Sequence, residues 1–337
     1  MPGMTDADLR DLGIHGIPIP VPFKQAGGPV NVYLVEEADG GLLMFDSGLG
    51  TPEAEAALAS GFARAGRRFD EVERIVVSHG HVDHYGAVRT VMERAGRPIP
   101  VFSHRADIPK IAESGWRWSE RMPLYAAYLA RLGVPPEIVA AIGKEVARGF
   151  GMARRVPEVT PLEPGEILRA KHVALEVHHM PGHTPGLLCL YDRRHRIFLS
   201  GDHLLEKVSP NPLIELGPAG EEGAFRPLMA YLESIGRLHG MEVELVLPGH
   251  GLPFGQHRRV IDGLLEFYRK RQAKTREALA KGPLTGYEVA RALFPWAGPG
   301  DLFLVVSETI ANIEVLEAGG EVKRVLDGGT YRFRLAA

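Results

Sequence analysis

With 337 residues, 45% of them hydrophobic and 24% charged, the chain has the length for a large buried core and the polarity of a globular protein. Its net charge of -3 excludes the broad basic field that nucleic-acid or anionic-membrane binding would use. The single cysteine, Cys189, excludes an intrachain disulfide, and no apolar run approaches the roughly 20 residues of a membrane-spanning helix.

The opening stretch, MPGMTDADLRDLGIHG, lacks the charged-then-apolar layout of a secretory signal, so a cytoplasmic protein is expected. Strands are predicted at VNVYLVEE and GLLMFD, split by the turn ADGG. A helix follows at TPEAEAALASGFARAG, with Thr51 as its N-cap. VERIVVS reads as a buried strand, YGAVRTVMERAG as a helix and IPVFSH as a strand. From about 111 to 151 the pattern turns helical and aromatic, with Pro135 and Pro136 dividing it into a hairpin. Strands return at HVALEVHHM, GLLCLYD and RIFLSGD, then a helix at PLMAYLESIGRL and a strand at VELVLPGHG. After about Leu264 come three helical stretches and two alternating runs around Asp327-Gly328-Gly329, a hairpin signal. This order matches a winged-helix module. We therefore expect a catalytic domain over 1–264 and a winged-helix-like domain over 265–337, on an α/β (α+β) body.

Four segments share one logic: a strand ends, a tight turn follows, and the turn carries a metal-capable side chain. They are VVSHGHVDH, HHMPGHTPG, FLSGDH and LVLPGHG, and they offer His79, His81, Asp83, His84, His183, Asp202 and His250. A lone histidine in a PGH turn, or a lone SGD, is ordinarily just a turn residue. Four coordinating groups within the six residues 79–84 are different, because without a metal they would crowd like charges and unpaired polar atoms beside a buried strand. Imidazoles and carboxylates without thiolate suit zinc, iron or manganese. Seven donors exceed the demand of one tetrahedral zinc, so two divalent ions sharing a carboxylate are expected.

Together these motifs resemble the metallo-β-lactamase fold superfamily, with landmarks in order from Asp46 in MFDSG to His250 in PGHG. The resemblance covers about Phe23 to Leu264 and implies a four-layer αββα sandwich with a dinuclear site along one edge. It implies that His79, His81 and His183 hold one metal, that Asp83, His84 and His250 hold the other, and that Asp202 bridges. Asp46 would orient the histidine loop behind the ligands. His178, His179 and His203 match no ligand position. The implied reaction is hydrolysis by a metal-bridging hydroxide, with Asp83 receiving its proton as the catalytic carboxylate.

Members of this superfamily cleave thioesters, lactones, β-lactams and phosphodiesters, so the fold leaves the substrate open. The PGHTPG turn is similar to that of glyoxalase II and related thioesterases, which favours thioesters or other activated acyl compounds, with a lactone as the nearby alternative. The C-terminal segment resembles the module of the β-lactamase-like protein 2 subgroup, which includes single-strand RNA endonucleases. Its near balance of basic and acidic residues makes a nucleic-acid reader the weaker expectation and a structural or dimerising appendage the stronger one, the second of these roles giving a homodimer. Trp116, Trp118 and Tyr125 are candidate substrate contacts on a lid formed by the helical insertion. Loop 206–223 is a candidate opposite wall.

Overall fold

The computed structural model describes residues 4–336, and among them the side chains of all but residues 24, 114–118 and 299. Strands β1 (Ile14–Ile19), β2 (Val30–Glu36), β3 (Leu42–Phe45), β4 (Val72–Val76), β5 (Val101–Ser103) and β6 (Thr160–Pro161) form one sheet in chain order. A second sheet runs β7 (Ile167–Arg169), β8 (Ala174–His179), β9 (Leu188–Asp192), β10 (Ile197–Gly201) and β11 (Leu245–Pro248). The chain begins with α1 (Asp6–Asp11), and helices α2 (Pro52–Arg64), α3 (Val82–Tyr85) and α4 (Val88–Ala95) join strands of the first sheet. Strand β1 is hidden in the sequence because Pro18 and Pro20 read as breaks. It lies at the sheet edge, where proline costs no ladder bond.

Alternation along the strands explains the layers. In the first sheet Tyr33, Val35, Leu43 and Phe45 turn inward to meet Leu175, Val177, Leu188 and Leu190 of the second. Their neighbours Val32, Leu34 and Met44 face the other way and pack on Leu58 and Phe62 of α2 and Val88 and Val91 of α4. On the far side Cys189, Tyr191 and Phe198 meet Leu228, Ile235 and Leu238 of α7 (Pro227–His239) and Ile261 and Leu264 of α8 (His257–Leu279). Helices, sheet, sheet, helices: the fold is a mixed α+β sandwich, as expected. Cys189 is a buried free thiol within it.

The helical insertion is α5 (Ile108–Arg131) and α6 (Pro136–Phe150), broken at the two prolines. The C-terminal part holds α9 (Gly286–Leu293), α10 (Leu302–Ala318) and a sheet of β12 (Leu284–Thr285), β14 (Thr330–Leu335) and β13 (Val322–Asp327). These two parts share one core. Tyr128, Leu129, Leu132 and Ile142 of the insertion pack with Val289, Val306, Ile310 and Phe333 of the C-terminal part. Helix α8 runs without interruption from the second sheet's outer face into that core. No helix among the described residues is long and apolar enough to cross a membrane.

Candidate metal centre

The parallel and antiparallel ladders bring the ends of β3, β4, β8, β10 and β11 to one edge, where each strand hands over to a turn. Asp46 follows β3 in the left-handed region, at a φ of 62°, which a short acidic side chain tolerates better than most. Its buried carboxylate accepts from the backbone N–H of Ser78 at 2.7 Å, from Ser78 Oγ at 2.8 Å and from His84 Nδ1 at 2.8 Å. The histidine loop after β4 is thus tied to the neighbouring strand before any ligand enters.

The imidazoles are oriented from behind in the same manner. His84 gives Nδ1 to Asp46, His183 gives Nδ1 to the Asn211 carbonyl at 3.1 Å, and His250 gives Nδ1 to the Gly28 carbonyl at 3.3 Å. His79 Nδ1 lies 2.9 Å from Ser78 Oγ. Such contacts fix the tautomer and leave Nε2 of each ring bare and pointing inward. There His79 Nε2 and His183 Nε2 each lie 3.0 Å from Nδ1 of His81. His250 Nε2 lies 3.3 Å from Asp83 and 3.6 Å from Asp202, while His84 Nε2 and His183 Nε2 lie 3.5 Å from the two oxygens of Asp202.

All seven ligand candidates therefore meet. Their donor atoms form three overlapping groups, each within 4.8 Å: His79, His81 and His183; His79, His84 and Asp202; Asp83, His84 and His250. Asp202 faces both histidine groups, the place a shared carboxylate would take. The fit to cations can be tested on the polar atoms left over. His84 Nε2 and Asp202 Oδ1 are buried and have no hydrogen-bond partner among the described residues. Such atoms are costly unless something binds them. An all-nitrogen-and-oxygen donor set with two orphaned atoms fits divalent metal ions.

The electrostatics agree. Burial, aided by the neighbouring imidazoles, holds His79 and His81 well below the usual histidine range, and burial lowers His183 too. These rings are neutral and free to donate lone pairs. Burial would lower His84 and His250 as well, but facing carboxylates, Asp202 foremost, push both up. Burial would raise Asp83 and Asp202, yet the histidines outweigh it: His84 and His250 hold Asp83 at about 2, and Asp202 lies well below its usual value. Both carboxylates are ionised at neutral pH.

The other histidines stand apart. His178 and His179 belong to β8, where His179 reaches the Pro185 carbonyl at 2.8 Å and stacks on His104. His203 is buried edge-on against Tyr231, and burial holds it at about 3. Tyr125 is 5% exposed in the core shared with the C-terminal part, close to the backbone N–H of Leu216. It has little surface to offer a substrate. The side chains of Trp116 and Trp118 lie outside the described residues.

Three supporting residues escaped the sequence reading. Asp107, fully buried, accepts from Gly80 N at 2.9 Å, Thr184 Oγ1 at 2.6 Å and Gly186 N at 3.1 Å. It clamps the His79–His81 loop to the His183 turn. Asn31 donates to the carbonyls of Pro248 and Gly251, fixing the His250 turn. Gly249 must lack a side chain, since a Cβ there would stand 2.2 Å from Asp202 Oδ1. Asp107 precedes α5 and reads as an ordinary cap, yet its side chain makes no cap bond.

Residues 26–250, well over half of the chain, match the model of the metallo-beta-lactamase superfamily. The chain belongs to that superfamily. It is a hydrolase of this family by descent and by the metal-binding cluster it retains. It is 29% identical to the probable metallo-hydrolase YqjP of Bacillus subtilis over 95% of this chain and 97% of that one. The human acyl-coenzyme A thioesterase MBLAC2 is 28% identical over 249 residues, covering 70% of this chain and 78% of that protein. Among solved structures, the metallo-beta-lactamase family protein TTHA1429 of Thermus thermophilus superimposes with a TM-score of 0.81 at 29% identity, over 96% of this chain and 99% of that one. A beta-lactamase domain protein from Burkholderia ambifaria, at 23% identity and a TM-score of 0.78, shares the fold over 96% of this chain and 93% of that one.

Proposed function

We propose that this superfamily member is a dinuclear hydrolase of acyl thioesters. The observation that carries the dinuclear reading is Asp202, whose two carboxylate oxygens face His84 on one side and His183 on the other. His79, His81 and His183 would hold one ion, and Asp83, His84 and His250 the second. Zinc is the first candidate, with iron or manganese as alternatives for the same donors. A bound pair of divalent ions supplies Lewis acidity toward a carbonyl and makes water acidic enough to ionise near neutral pH.

The chain's own residues do the rest. Asp46 and Asp107 hold the histidine loop and the His183 turn in register, so the cluster needs no rearrangement as charge develops. Asp83 is ionised, is held by His250 and is the candidate acceptor of the proton from the attacking water. Water adds across the C–S bond, the acid and the thiol leave, and the proton taken by the carboxylate passes to the departing thiolate. The substrate class is supported by the thioesterase MBLAC2 among the relatives.

The test is metal analysis followed by turnover of a panel: acyl thioesters, lactones, β-lactams and single-stranded RNA. Thioester cleavage lost in Asp202→Ala and on chelation is the expected result. Preferential cleavage of RNA or of a lactone would replace the thioester reading while keeping the metal centre.

A further inference from the structure

Along the segments that follow Asp202 and precede Gly28 the surface opens into a cleft of about 690 Å³ lined by Gln25, Glu206, Lys207, Val208, Arg259 and Phe267, among others. Its walls continue the segments that build the metal centre. Residues 206–209 follow directly from the strand end bearing Asp202. Gln25 stands just before Gly27, where a Cβ would lie 2.9 Å from Val208 Cγ2, and Gly28, whose carbonyl holds His250. The wall is braced from below: Tyr268 donates to the Pro210 carbonyl at 3.0 Å.

Two cations of this cleft are unspent. Every other arginine of α8 has an acidic partner: Arg258 with Glu242, Arg269 with Glu266, Arg271 with Glu308 and Arg276 with Glu321. Arg259 has no side-chain partner among the described residues, and neither has Lys207 across the cleft. Arg259 also sits in the first turn of α8, where a positive charge opposes the helix dipole and an acidic residue is absent. Among the described residues of the lining Glu206 is the sole acid, against Lys207 and Arg259, so their balance is positive. Val208, Val260, Leu264 and Phe267 supply an apolar floor. Such a cleft matches an organic body that carries anionic groups, and its volume lies in the range of small-molecule sites.

Resting on the thioesterase reading, we propose that this cleft binds the phosphorylated carrier of the thioester, of the coenzyme A type, with Lys207 and Arg259 meeting its phosphates. The acyl carbonyl then lies at the metal edge while the thiol side leaves over the wall formed by Val208 and Gly27. Arg259 offers a planar fork suited to phosphate oxygens, and Lys207 a point charge.

The experiment uses coenzyme A itself as the probe, titrated calorimetrically into the metal-loaded full chain. Charge reversal at both positions, Lys207→Glu with Arg259→Glu, is expected to weaken binding by roughly tenfold or more, the scale of a lost charge-assisted hydrogen bond. Lys274→Glu with Lys281→Glu, both exposed and outside the cleft, carries the same change of net charge and is expected to leave binding as it was. Both positions are exposed, and the milder Lys207→Gln with Arg259→Gln serves if the reversal unfolds the chain. In turnover, the ratio of kcat/KM for a coenzyme A ester to that for an N-acetylcysteamine ester should fall by the same factor. Absence of coenzyme A binding, equal weakening by the Lys274→Glu, Lys281→Glu pair, or binding of single-stranded oligouridylate in its place would overturn the proposal. Coenzyme A binding with no thioester turnover would instead sink the thioesterase reading and leave the cleft assigned.

Discussion

Asp46 accepts a 2.8 Å hydrogen bond from Nδ1 of His84, and so decides which nitrogen of His84 faces the cluster of ligand candidates. The same carboxylate holds both donors of Ser78, the residue next to His79. One side chain outside the ligand set thereby positions ligands in both histidine groups.

Asp46→Asn tests that relationship. Asparagine tolerates the positive φ, so the backbone should be kept, but its amide puts a donor against donors. Metal affinity, measured by competition with a chelator, should fall about 10- to 100-fold, the usual effect of removing a partner behind a ligand. Unchanged affinity would show that the Asp46 carboxylate does not position His84.

Asp107→Asn strikes at the second clamp. Its two oxygens serve three donors on two segments, so one amide nitrogen must face an N–H or O–H. A loss of about 2 kcal/mol in denaturant unfolding is expected. Metal stoichiometry should fall too, since His81 and His183 lose their common anchor. A stability loss with full metal content would confine Asp107 to holding the fold.

How much of this was legible in the chain follows from what each residue depends on. Five of the seven ligand candidates sit in turns that follow strands, and Asp83 and His84 in the short α3 just beyond, a local pattern that the chain order alone shows. Asp107 and Asn31 act on segments far from them in sequence. Asn31 reads as one more residue of an alternating strand, yet its amide reaches the carbonyls of Pro248 and Gly251. Tyr125 illustrates the converse. Aromatic spacing in a helical insertion suggests a lid, but α5 packs onto the C-terminal part and buries the ring there. Helical periodicity tells that a face is covered, not by what.

Gly249→Ala should act on the cluster through a single methyl group. The new Cβ would stand 2.2 Å from Asp202 Oδ1 and 2.8 Å from the backbone carbon of Gly201, so the carboxylate is the part that must move. A displacement of that order costs about a hundredfold in kcat, with secondary structure retained by circular dichroism. Activity within a fewfold of the parent would show that the turn can shift instead.

Glu314, 7% exposed on α10, gives a pH dependence away from the metal. Burial raises its carboxyl, Arg324 and Arg226 pull it down, and the balance leaves it at about 7. Unfolded, it titrates near its ordinary value of 4.5. Between these values the folded state binds more protons than the unfolded one, so its contribution is whole below the lower value and is lost as pH rises to the upper. Glu314→Gln mimics the protonated form and removes that loss. The variant should therefore match the parent within about 1 kcal/mol at about pH 5 and exceed it by about 3 kcal/mol at about pH 8. Urea unfolding of both proteins at the two pH values measures the difference. A gap that does not widen with pH would mean that Glu314 ionises in the fold at its ordinary value, with Arg324 compensating its burial in full.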